Sequence, residues 1–130
     1  EIAGAYRRAG TPVVMGGIHA SMRPEEALEL IDSVVVGEAE RVWPGVVEDL
    51  VADTLRPRYE AEQAPPLDDI PPPRYDLVEP QFSVPVVTEA TRGCPHRCLF
   101  CNQVGIAGPN REGSDDPVSD EIRLGAGFIY

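Results

Sequence analysis

The sequence predicts an α/β protein in two parts, and three observations carry that prediction. Apolar segments at helical spacing alternate with short β-branched runs as far as about Asp53. A stretch rich in proline follows. Beyond it, a strand-like run leads directly into a segment that holds all three cysteines of the 130-residue chain.

From Ile2 to Ala9, the positions of Ile2, Tyr6 and Ala9 define one apolar helical face, and Gly10 follows where a helix end favours the left-handed conformation. Thr11 to Met15 is a short apolar run closed by Gly16-Gly17, as expected of a buried parallel strand ending in a tight turn. Pro24 opens the next helix, with Glu25 and Glu26 at the positive end of its dipole and Ala27, Leu28 and Ile31 on its inner face. Ser33 to Gly37 reads as a second buried strand, and Pro44 begins a helix in which Val46, Val47, Leu50 and Val51 recur at helical spacing. Such alternation implies parallel strands joined by crossovers, the doubly wound layout. With two strands in view, residues 1–55 read as the carboxy-terminal part of a domain of that kind.

Residues 56–83 read as a linker, because Pro57, Pro65, Pro66, Pro71, Pro72, Pro73 and Pro80 forbid continuous helix or central strand. Proline-rich linkers are extended and semi-rigid, and the segment is read as a spacer. Residues 84–130 form the second part. Val84 to Thr91 reads as a strand with Pro85 near its start, Asn102 to Asp116 as loop, Pro117 to Leu124 as the start of a helix and Gly127 to Tyr130 as another strand. Strand, loop, helix and strand in that order make a first βα unit.

A formal net charge of -11 argues against a nucleic-acid surface, which needs clustered Lys and Arg to displace counterions from phosphates. No apolar run approaches the roughly 20 residues of a membrane-spanning helix, and no basic stretch with an apolar signal core opens the chain. The reading is a cytoplasmic protein. Glu1 in place of an initiator Met, and an apolar strand-like run at the very end, are read as marks of a fragment.

Cys94, Cys98 and Cys101 stand four and three residues apart, so one compact loop presents three thiolates to one centre. An odd number of cysteines in so short a segment fits no disulfide framework. Iron–sulfur cubes take four ligands, so three thiolates leave one iron open to a small molecule. A structural zinc site needs a fourth ligand, and no downstream Cys or His supplies one; His96 is read as a solvent-facing loop residue. The alternative reading is a non-catalytic zinc- or redox-binding α/β module.

The segment Thr91-Arg92-Gly93-Cys94-Pro95-His96-Arg97-Cys98-Leu99-Phe100-Cys101 resembles the signature of the radical S-adenosylmethionine superfamily. The resemblance implies that Cys94, Cys98 and Cys101 ligate a [4Fe-4S] cluster, that Phe100 lies beside the adenine, and that residues 84–130 begin a truncated (β/α) barrel. It also implies that the open iron chelates S-adenosylmethionine, whose reductive cleavage gives a 5′-deoxyadenosyl radical. An external electron donor such as flavodoxin or ferredoxin and a small-molecule substrate are implied as partners.

Pro12-Val13-Val14-Met15-Gly16-Gly17-Ile18-His19-Ala20, Pro24-Glu25-Glu26-Ala27 and Val35-Val36-Gly37-Glu38-Ala39-Glu40 resemble the Rossmann-like (flavodoxin-like) cobalamin-binding domain fused ahead of many such enzymes. That resemblance implies that Gly16 and Gly17 approach the nucleotide tail of cobalamin, with His19 and Gly37 as further contacts. A loop hydrogen bond, not cobalt ligation, is the expectation for His19. Methyl transfer or radical modification of an organic substrate is the implied activity. Because the later barrel strands are absent after Tyr130, the chain alone is not expected to turn over.

Overall fold

Ser33 to Val36 carries a β-branched run and is buried at every position, and it becomes the middle of a three-stranded sheet. The computed structural model describes residues 1–74, 77, 89–101 and 108–114. It divides the chain into two units, Glu1–Pro65 and Pro66–Tyr130.

In the first unit the elements run α1 (Ile2–Arg8), β1 (Val14–Met15), α2 (Ile18–Met22), α3 (Pro24–Leu28), β2 (Ser33–Val36), α4 (Trp43–Val51) and β3 (Arg58–Glu60). The sheet has the order β1-β2-β3 and both pairings are parallel. Strand alternation then splits the core. Val34 and Val36 pack with Ala20, Ala27 and Ile31 from the α2–α3 side, whereas Val35 packs with Val46 of α4 and Tyr59 of β3. Helices on two sides of a parallel sheet make this unit the α/β structure that the alternation predicted.

Helix α1 ends as Gly10 requires. Thr11 N–H donates to Tyr6 O and Gly10 N–H to Arg7 O, both at 3.0 Å, with Gly10 at φ 78°, which is a Schellman cap. The same geometry closes α4, where Thr54 N–H donates to Asp49 O at 2.8 Å around Asp53 at φ 58°. No residue of α1 is buried, and Ile2, Tyr6 and Ala9, the apolar face read on that helix, lie exposed; the half-buried Ala3 packs against the core instead. Of the apolar positions on α4, Val46 alone is buried.

Two elements of this unit were not expected from the sequence. Helix α2 follows Gly17 immediately, where a turn alone was expected. Strand β3 falls inside residues 56–83, the segment read as linker. Its presence is compatible with the prolines because Pro57 precedes the strand, where its missing N–H costs no ladder bond, and its carbonyl accepts from Val34 N–H at 2.9 Å. Tyr59 points inward between the outward Arg58 and Glu60.

In the second unit, Leu67–Asp69 forms one 3-10 turn, and β4 (Thr91–Arg92) pairs antiparallel with β5 (Arg111–Glu112). Residues 102–116 were read as loop; β5 lies within them, too short and too polar to announce itself by alternation. Of the strand read over 84–91, residues 84–88 lie outside the described residues, as do the helix read at 117–124 and the strand at 127–130. Among the described residues no helix is long and apolar enough to cross a membrane.

Candidate functional site

Two places collect the residues singled out by sequence, one in each unit. In the first unit, Gly16 and Gly17 follow β1 and Gly37 follows β2, so all three lie at the carboxyl edge of the parallel sheet. Open α/β sheets bind ligands there. Gly17 has φ 96° and ψ -178°, a region that only glycine enters freely, and Gly37 has φ 78°. A Cβ on either would meet nothing within 4 Å, so both backbones border open space. Gly16 differs, because a Cβ there would lie 3.8 Å from Val35 Cβ, an ordinary contact.

His19 stands on α2 with a largely exposed side chain and sets Nε2 3.4 Å from Glu26 Oε1. Glu26 also receives Arg23 Nε at 3.4 Å. The structure adds one residue that the sequence reading passed over. Ser21 Oγ donates to Gly17 O at 2.9 Å and accepts from Gly37 N–H at 2.9 Å, and so joins the two glycine loops. A helical serine four residues after a helix-starting glycine is the available signal, since its hydroxyl reaches back to that carbonyl.

In the second unit the cysteine segment begins directly after β4. Gly93 has φ 94°, and a Cβ there would lie 2.3 Å from Pro109 O and 2.9 Å from Gly108 O. Only glycine fits, on both conformational and spatial grounds. Beside it, the β4–β5 pairing is extended by Gly113 N–H donating to Ala90 O at 3.0 Å. Arg92 grips the Glu89 carboxylate at 3.0 Å through Nε and 2.6 Å through its terminal nitrogen.

Cys94, next to this anchor, is half-buried, while Cys98 and Cys101 are exposed and none of the three is in a disulfide. Cys101 N–H donates to Cys98 O at 3.1 Å, which places those two cysteines on one turn. Leu99 and Phe100 between them are fully exposed, and His96 faces solvent as read. Three thiols in one exposed loop are a donor set suited to a soft metal or an iron–sulfur centre. The structure does not gather them into a closed site: among the described residues no group of three or more His, Cys, Asp or Glu is arranged to hold a metal ion.

Comparison with known proteins relates the chain to methyltransferases. It is 38% identical over 110 residues to the bacteriochlorophyllide d C-8(2)-methyltransferase of Chlorobaculum tepidum, a match that covers 78% of this chain and 24% of that protein. It is 31% identical over 120 residues to the bacteriochlorophyllide d C-12(1)-methyltransferase of the same organism, covering 88% of this chain and 26% of that protein. An uncharacterized methyltransferase of Synechocystis sp. is 31% identical over 100 residues, covering 76% of this chain and 19% of that protein. No protein-family model matches, and no solved structure matches. The chain spans about a quarter of the length of the first two relatives, and over that span it is related to methyltransferases.

Proposed function

We propose that this chain forms part of a radical S-adenosylmethionine methyltransferase. The observation that carries the reading is Cys94-x3-Cys98-x2-Cys101 in one loop, held at its base by Gly93 against Gly108 and Pro109. Similarity to three methyltransferases supports it from a separate direction.

In this reading Cys94, Cys98 and Cys101 hold three irons of a [4Fe-4S] cluster, and the exposed ring of Phe100 offers an apolar face to the adenine of S-adenosylmethionine. The open backbones of Gly17 and Gly37 form one side of a cobalamin site, with Gly16 behind them and His19 at its margin, tied to Glu26. When bound, these groups supply an open iron, one electron and a methyl carrier. The electron comes from an external donor such as flavodoxin or ferredoxin. Cysteines outside any disulfide suit the reducing cytoplasm. The methyl acceptor is a small organic molecule, as bacteriochlorophyllide d is for the two relatives named for it.

Anaerobic reconstitution tests this reading. The chain takes up about four irons with matching acid-labile sulfide and becomes brown, and Cys98→Ala loses both. A colourless protein that retains stoichiometric zinc would instead establish the zinc-binding module and overturn the proposal.

A further inference from the structure

We infer that Ser21 is a positioning residue that locks the two glycine loops at the carboxyl edge of the sheet into one platform; its consequence for cobalamin rests on the function proposed above. Gly17 leads out of β1 and Gly37 out of β2, and these strands are parallel neighbours. The pairing of β1 with β2 ends at Met15 and Val34 and does not itself reach Gly17 or Gly37. The Ser21 hydroxyl joins these two glycines. Its single proton goes to Gly17 O, and its lone pair takes the Gly37 N–H, a residue 16 positions away, each at 2.9 Å.

Both glycines sit at positive φ with open space where a side chain would be, so neither is wedged in place by packing. Without the hydroxyl, the Gly37 N–H has no other hydrogen-bond partner among the described residues, and the conformational freedom of glycine lets its loop drift. A ligand that lies against both backbones at once depends on their spacing. Ser21 therefore acts on ligand binding through Gly17 and Gly37.

Amide hydrogen exchange on the chain decides whether the lock exists. In Ser21→Val the Gly37 amide exchanges about fivefold to tenfold faster, the worth of one hydrogen bond. Val34 and Val35 keep their protection, and Ser21→Thr, which restores a hydroxyl, restores Gly37. Unchanged exchange at Gly37 in Ser21→Val overturns the inference. A second arm measures hydroxocobalamin retention by the full-length protein that carries this sequence. Retention falls by about the same factor in Ser21→Val and returns in Ser21→Thr. Equal retention by the two variants, with Gly37 protection lost in one, overturns the positioning role. Absence of cobalamin from the unmodified protein overturns the cofactor reading instead, and the exchange arm still decides whether Ser21 locks the loops.

Discussion

Asp49 Oδ2 accepts a hydrogen bond from the Tyr59 hydroxyl at 2.8 Å, and this contact fastens the end of α4 to the edge strand β3. The same oxygen accepts from Arg56 Nε at 2.8 Å. Arg56 in turn lays its guanidinium 4.3 Å from the centre of the Tyr59 ring and donates its backbone N–H to the Tyr59 oxygen at 3.0 Å. A strand of three residues at the edge of a sheet has few ladder bonds, and this cluster adds to the hold that Tyr59 gains by packing with Val35 and Val46.

Acid sensitivity of the first unit follows from that cluster. Tyr59 foremost, and then Arg56, hold the Asp49 carboxyl below the ordinary carboxylate range. A depressed folded-state value means that the folded protein resists protonation more than the unfolded chain does. The stabilisation is therefore fully present above the ordinary value of 3.8 and is lost as pH falls through the lowered folded value. Urea midpoints measured from pH 6 to pH 2 fall less steeply in Asp49→Asn than in the unmodified chain. Parallel profiles would show that other carboxylates dominate.

The two faces of α4 give a contrast in packing. Val46 and Val35 are 1% exposed and touch across the helix–sheet contact, whereas Val47, the next residue of α4, is 42% exposed. Val35→Ala lowers the unfolding free energy by about 2 kcal/mol through lost burial and the cavity left behind. Val47→Ala changes it by less than about 0.5 kcal/mol. Chemical denaturation of both variants checks the pair, and similar losses would refute the assigned orientation of α4.

Legibility in the sequence tracked how much of each element is buried. Ser33 to Val36, buried throughout, was readable from its β-branched run, and Pro24 and Gly10 marked a helix start and a helix end. Strand β3 was not readable, because a single inward residue, Tyr59, between two charged ones leaves no alternation to detect, and the neighbouring prolines pointed to linker. At the candidate site the glycines were legible as turn residues. Ser21 was not, since a contact 16 residues away depends on which strands are neighbours. The cysteine spacing was legible as chemistry, while the fit of Gly93 against Pro109 emerges only in three dimensions.

Gly93→Ala tests whether the cysteine loop depends on its anchor. The added methyl would lie 2.3 Å from Pro109 O, against backbone that cannot swing aside as a side chain can, at a residue with φ 94°. Strain of about 1–3 kcal/mol is expected from the conformation alone, with the collision added to it. The measurable result is faster amide exchange at Thr91 and Arg92 and lower iron uptake on reconstitution. Exchange at Val34 and Val35 stays unchanged, because those residues belong to the other unit. Normal iron uptake in Gly93→Ala would separate cluster binding from the β4–β5 anchor.

Gly17 allows conformational strain to be separated from occupancy of the sheet edge. Substitution there costs about 1–3 kcal/mol because of its φ of 96°, even though no atom lies within 4 Å of the new Cβ. Gly10 supplies the control: it too has a positive φ and open space around its Cβ, but it caps α1 and leads toward the amino end of β1. Both Gly10→Ala and Gly17→Ala lower the urea midpoint of the chain. Gly17→Val goes further in one respect, since its branched side chain extends into the space that the proposed cobalamin would occupy. In the full-length protein, Gly17→Val loses hydroxocobalamin while Gly10→Ala retains it, and iron content is unchanged in both because the cysteines lie in the second unit. Equal cobalamin retention by the two variants would mean that Gly17 serves the turn into α2 and nothing beyond it.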